Sequence, residues 1–159
     1  MIPLRVILHP TDFSADSAYA FDLACALARD HNGRVVVAHV GPTPTLGYSE
    51  GMIMPPDPEF LHAPLRDKLA AVRADDCTIE VEHRFLVGVA AEEIVRLAEE
   101  LHCDLIVMGT HGRTGLRRVL MGSVAEQVLR KAPCPVLTVK SVGSMSAKRA
   151  EAKEPATAN

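Results

Sequence analysis

The sequence predicts an α/β fold, an open parallel sheet with helices on both faces. Three observations lead there. Short runs rich in aliphatic and β-branched residues recur at Leu4–Leu8, interrupted only by Arg5, at Val35–Val40, which includes His39, and at Leu105–Met108 and Val136–Val139, and strands that are apolar along nearly their whole length are those covered on both faces. Between the runs lie stripes at helical spacing, which suit the long crossovers that parallel neighbours need. The length, 159 residues, matches one domain at roughly 100 to 200 residues each, so residues 1–140 are read as one unit.

Taken in order, Leu4–Leu8 reads as the first strand, His9-Pro10-Thr11-Asp12 as a turn and Ser14 as a helix N-cap. A helix over 15–30 follows, because Ala20, Ala24 and Leu27 share one stripe with Phe21, Cys25 and Ala28 beside it. Asn32-Gly33 supplies a left-handed stop. Val35–Val40 then reads as a central strand. Residues 41–58 hold five prolines and three glycines, a density that neither helix nor strand tolerates, and a mobile loop is expected there. Leu61, Leu65, Leu69 and Val72 recur at helical spacing, with Pro64 marking a break or a late start. From Thr78 to Val87 the chain alternates, Ile79, Val81, His83 and Phe85 against Glu80, Glu82 and Arg84, which marks a half-exposed edge strand. Ile94, Leu97, Ala98 and Leu101 form a helical stripe ending near His102, and Leu105–Met108 is a further buried strand. A glycine-rich loop, a helix over 123–131 and a last strand, Val136–Val139, complete the domain. The polar residues 141–159 are expected to be disordered.

Composition excludes several function classes. Aromatic residues are 4% of the chain, and 17 Lys and Arg stand against 20 Asp and Glu, so neither stacking rings nor a net positive charge favours nucleic-acid binding. No apolar run nears the roughly 18 residues of a membrane span, and the segment before His9 is too short for an export signal. Cys25, Cys77, Cys103 and Cys134 form no C-x-x-C pair; with 48% hydrophobic residues a core needs no covalent staple, and four reduced thiols in the cytoplasm are expected.

In an open α/β sheet, ligands sit beyond the C-terminal strand ends where strand order reverses. Two loops are therefore singled out: Pro10-Thr11-Asp12-Phe13-Ser14 after the first strand, and Gly109 to Ser123 after the fourth. Glycines let the backbone approach an anion, and a helix start adds its positive dipole end. The spacing matches neither the Lys-bearing phosphate loop nor the dinucleotide fingerprint. It is Gly109, two residues, Gly112, nine residues, Gly122, then Ser123.

This spacing, with Pro10–Ser14, the His39-Val40 strand end and Ala132-Pro133-Cys134-Pro135-Val136, resembles the universal stress protein family, whose nucleotide-binding members carry G-x2-G-x9-G-[ST] after the fourth strand. The likeness covers residues 4–140. It implies a Rossmann-like, adenine-nucleotide α-hydrolase-like sheet in the order 3-2-1-4-5 with ATP, AMP or ADP at its C-terminal edge and Mg²⁺ or Mn²⁺ carried by the phosphates. By position, Asp12 and Val40 would lie by the adenosine, Met108 and Gly109 by the ribose, and Gly112, Gly122, Ser123 and Val124 by the phosphates. Pro10 and Thr11 after the first strand, and His111 and Arg113 inside the glycine loop, are further binding candidates. The resemblance also implies a homodimer, since family members commonly dimerise through the fifth strand, here Val136–Val139. His9, where a small or aliphatic residue is expected, and the long 41–58 loop depart from the pattern.

Plainer readings stand beside these. Ser123 and Glu126 could form a capping box that needs no ligand. Asp12 could simply order a turn, His39 could be a satisfied core histidine, and Arg113, Arg117 and Arg118 could be solvated surface charges. At the level of function, the sequence favours a regulatory ATP-binding dimer with at most slow hydrolysis. The alternatives are a nucleotide-independent interaction dimer, or an enzyme that cleaves ATP or transfers adenylate, whose usual S-G-G-x-D-S and H-x-G-H loops are missing.

Overall fold

The computed structural model describes residues 3–44, 57–75, 78–110 and 121–140. Five strands, β1 (Val6–Pro10), β2 (Arg34–Gly41), β3 (Val81–Val87), β4 (Leu105–Gly109) and β5 (Val136–Val139), alternate with four helices, α1 (Ala15–His31), α2 (Pro58–Ala70), α3 (Ala90–Leu101) and α4 (Ser123–Lys131). All strand pairs are parallel and the order is β3-β2-β1-β4-β5. The expected architecture and strand order are therefore observed.

Alternate residues of the central strands feed two cores. Ile7, Val35, Val37 and Val107 pack with Phe21, Ala24 and Leu69 from α1 and α2. Leu8, Val36, Ile106 and Met108 pack with Ile94, Leu97 and Val128 from α3 and α4. This arrangement explains the unbroken apolar strands, since a strand with a helix layer on each side has no face left for polar residues.

Several boundaries move from their sequence-based positions. The first strand runs two residues further, to Pro10, because His9 is fully buried in the ladder and pairs in register with Val37. Pro10 is tolerated at the strand end. The left-handed stop after α1 lies on Asn32 alone, at φ 52°. Gly33 serves a different purpose: a Cβ there would stand 2.2 Å from the Leu4 carbonyl oxygen. Gly41 and Pro58, assigned to the loop from the sequence, belong to β2 and α2, while residues 45–56 lie outside the described residues, as do 141–159. Pro64 neither breaks nor delays α2; it sits inside the helix on an exposed position, where its ring removes only the donor for the Phe60 carbonyl.

The third strand is a half-exposed edge as expected, but its sides are less clean than the alternation. Val81 and Phe85 pack on the first core and Leu86 on the second. His83 is exposed, with Nε2 hydrogen-bonded to the Val72 carbonyl at 2.7 Å. Glu82 pairs with both Arg34 and Arg84.

An interior proline costs a helix up to about 3 kcal/mol, partly offset by the freedom it removes from the unfolded chain. Pro64→Ala is expected to raise stability by about 1 to 2 kcal/mol, measured by urea denaturation.

Candidate functional site

Strand order reverses between β1 and β4, and the chain leaves them toward opposite faces, to α1 on one side and α4 on the other. A cavity of about 210 Å³ occupies the resulting crevice. Nine of the residues singled out in the sequence line it: Pro10, Thr11, Asp12, Val40, Met108, Gly109, Gly122, Ser123 and Val124. His111, Gly112 and Arg113, with Arg117 and Arg118, lie outside the described residues.

One wall is apolar, built from Ala38, Val40, Ile94 and Met108. The opposite end is the start of α4. Its N-cap is Gly122, at φ −70° and ψ 153°, with no side-chain cap hydrogen bond. The capping box expected from Ser123 and Glu126 is thus not formed. Ser123 is the first helical residue instead, one position too late to cap, and Glu126 pairs with Arg130 at 3.0 Å. A helix start whose N–H groups have no capping side chain offers donors to an anion, and Ser123, Val124 and Ala125 all border the cavity.

Thr110 links this helix start to the sheet. Its N–H donates to the Val139 carbonyl at 2.7 Å, and its carbonyl accepts from the Gly122 N–H at 2.8 Å. Its hydroxyl oxygen is buried with no hydrogen-bond partner among the described residues. Such an orphan is uncommon in a folded protein and calls for an explanation, and this one borders the cavity.

Gly109 is needed for packing. A Cβ there would stand 3.0 Å from Asp16 Cβ and 3.1 Å from Ser17 N. The missing side chain lets the first turn of α1 rest on the end of β4.

The loop from β1 to α1 is tightly wired. Asp12 Oδ1 accepts from the Ser14 N–H at 3.0 Å and from the Ser14 hydroxyl at 2.6 Å, so the turn-ordering reading of Asp12 holds, with only one of its two oxygens used by the turn. Ser14 caps α1 by accepting from the Ser17 N–H at 3.2 Å. Phe13 adopts φ 63°, a left-handed conformation that costs a bulky residue of order 1 to 3 kcal/mol. Two contacts hold it there: its N–H donates to Thr11 Oγ1 at 3.1 Å, and its ring lies 4.5 Å from that of His39. His39 Nδ1 is 2.8 Å from the Thr11 carbonyl. It is the satisfied core histidine expected, and it also borders the cavity.

His9, the departure noted in the sequence, anchors the same loop from below. Its Nδ1 lies 2.8 Å from the Val107 carbonyl, which can only accept, so Nδ1 carries the proton. Burial pushes the ring pKa down to about 4, against smaller opposing effects of that hydrogen bond and the Asp12 charge. The imidazole is therefore neutral at pH 7, and its bare Nε2 stands 3.4 Å from Ser17 Oγ. The Ser17 hydroxyl donates to Thr11 Oγ1 at 2.8 Å. Ser17 and Thr110, both bordering the cavity, were missed in the sequence. Thr110 lay within the motif as an unspecified position, and Ser17 is recognisable only once α1 is docked on β4.

The model of the universal stress protein family matches residues 3–140. The chain belongs to this family. A universal stress protein of Methanocaldococcus jannaschii is 39% identical over 139 residues, covering 86% of this chain and 82% of the relative. Among solved structures, a universal stress protein in complex with cAMP shares 25% identity at a TM-score of 0.62, over 87% of this chain and 98% of that one. The universal stress protein from Archaeoglobus fulgidus in complex with dAMP shares 26% at 0.59, over 88% and 100%. Among the described residues, no helix of this universal stress protein is long and apolar enough to cross a membrane.

The depressed His9 pKa has a pH consequence with a definite sign. Between about pH 6.5 and pH 4 the unfolded chain binds a proton that the folded chain refuses, so stability is full above that window and falls as pH drops through it, by on the order of 3 kcal/mol. Denaturant titrations at pH 7, 5.5 and 4 are expected to show this loss in the native sequence and a shallower one in His9→Gln, the carboxylate contribution being common to both.

Proposed function

We propose that the protein is a regulatory module that binds an adenine nucleotide, ATP, in the cavity between β1 and β4. The observation that carries this is the pairing of an apolar wall with an anion-binding end. Val40 and Met108 suit a flat apolar base, and the start of α4, with no side-chain cap, suits phosphates. The buried Thr110 hydroxyl without a partner fits a site whose last hydrogen bond comes from a ligand. The complexes of structural relatives with cAMP and dAMP favour adenine over other bases. Asp12, with one oxygen outside the turn network, would accept from a ribose or base donor, and Gly112, His111 and Arg113 would complete the phosphate end.

The described residues bring no three metal-ligating side chains together, so Mg²⁺ or Mn²⁺ would travel on the phosphates. Asp12 is the one carboxylate among the described residues bordering the cavity. General-base chemistry on phosphate calls for a positioned base together with charge clamps, and on this reading ATP is held as a conformational ligand, with at most slow hydrolysis.

Calorimetric titration with ATP tests the site. Gly122→Val sets a branched side chain where phosphate meets backbone and is expected to weaken binding by more than about tenfold, a loss above about 1.4 kcal/mol. Unchanged affinity in the folded variant would remove the α4 start from the site.

The same reading includes a homodimer through β5. Among the described residues nothing pairs with the outer edge of that strand, and Leu137 and Leu129 are 37% and 49% exposed. An apolar edge is a natural self-pairing surface. Light scattering at micromolar concentration should report a dimer, weakened by Thr138→Pro, whose N–H lies on the outer side of β5, away from the bonds that Pro135 and Val139 make to the β4 side.

A further inference from the structure

We propose that Cys103 and Cys134 form a dithiol oxidation site that closes to an intramolecular disulfide when the protein meets a peroxide. The pair lies at the N-terminal ends of β4 and β5, at the opposite end of the sheet from the cavity. Their sulfurs are 3.3 Å apart and both thiols are free. A disulfide needs about 2.05 Å, so closure asks for roughly 1.3 Å of sulfur movement, within reach of side-chain rotation.

The backbones that carry them are already held as neighbours. Cys103 follows the left-handed cap of α3 at His102, and its N–H donates to the Ala98 carbonyl at 3.2 Å. Cys134 stands between Pro133 and Pro135, and the Pro135 carbonyl accepts from the Ile106 N–H at 3.0 Å. Parallel pairing of Ile106 with Val136 continues from there. Little chain entropy remains to be lost in bringing the sulfurs together.

The two thiols differ in access. Cys103 is 6% exposed and Cys134 is half-buried, so the oxidant reaches Cys134 first. The step balances with a peroxide as oxidant. The Cys134 thiolate attacks a peroxide oxygen, giving a sulfenic acid and hydroxide, which takes up the thiol proton as water. The Cys103 sulfur then displaces hydroxide from the sulfenic sulfur as its own proton leaves. Two thiols and one hydrogen peroxide become one disulfide and two waters. Burial pushes both thiols up, with the Asp104 charge acting in the same direction. Both thiols are therefore held protonated, and their reaction is slow beside that of an exposed, activated cysteine.

Closure would have a wide structural reach. The bond spans 31 positions and encloses β4, the whole glycine-bearing stretch and α4, so it ties both ends of the segment that carries Gly109, Gly122 and Ser123. A cross-link over a loop of that length restricts the unfolded chain strongly. The oxidised protein should melt several degrees higher than the reduced one.

The test is exposure of the purified full-length chain to hydrogen peroxide, blocking of remaining thiols after denaturation, and mass spectrometry. The expected result is an intact mass lower by two hydrogens before blocking, uptake of two blocking groups rather than four, a proteolytic fragment joining Cys103 to Cys134, and a higher melting temperature reversed by dithiothreitol. Cys134→Ser should abolish the fragment. Because peptide mapping of the native sequence is decisive alone, a misfolded variant does not weaken the test. A Cys103 thiol still fully open to alkylation after oxidation, or a bond from either residue to Cys25, Cys77 or a second chain, overturns the proposal.

Discussion

The close approach of α1 to the end of β4 is the constraint on which the site depends. Gly109 has no side chain, so Asp16 and Ser17 come to within about van der Waals contact of its backbone. A Cβ there would stand 3.0 Å from Asp16 and 3.1 Å from Ser17, so the first turn of α1, which borders the crevice through Ser17, would have to shift by a few tenths of an ångström. The first glycine of the motif therefore acts through packing, and the ligand-facing geometry follows from where it lets a helix sit.

A second layer of fixing runs beneath the loop. His9 joins β1 to β4 through the Val107 carbonyl, Ser17 joins α1 to Thr11, and His39 joins β2 to the Thr11 carbonyl. Helix α1 and strand β2 thus converge on Thr11, directly after β1, while His9 ties β1 to β4 beside it. Each of these polar groups is buried, so leaving any of them unpaired costs about 1 to 3 kcal/mol. That penalty holds Phe13 in a conformation its side chain disfavours.

The fold was legible in the sequence because helix and strand periods differ sharply, as the stripe of Ile94, Leu97, Ala98 and Leu101 in α3 shows beside the apolar runs of β2 and β4. Strand order and most cavity-lining residues followed from the resemblance carried by the glycine spacing. What stayed hidden depends on three-dimensional neighbours. Ser123-x-x-Glu126 looks like a capping box by pattern, but Gly122 is the N-cap, its N–H bonded to the Thr110 carbonyl, so the helix starts one residue earlier than Ser123 needs in order to cap. Gly33 reads as a helix stop, whereas its absent Cβ makes room for the Leu4 carbonyl. Ser17 looks like any polar residue of a first helical turn until the helix is docked. The closeness of Cys103 and Cys134, 31 positions apart, has no trace in their spacing.

The two borders of the sheet are finished differently, and this limits how copies can add to one another. On β3 the ion pairs of Glu82 with Arg34 and Arg84 and the exposed His83 put charged and polar side chains along one border, which a neighbouring backbone would have to displace. The β5 border carries Val136, Leu137, Thr138 and Val139 and no charge. A ribbon with two receptive borders can lengthen without end, as fibrils do. With one receptive border, each molecule would be used up by its first strand-to-strand encounter, so on the proposed β5 pairing growth by this route would terminate at a closed pair instead of seeding a filament.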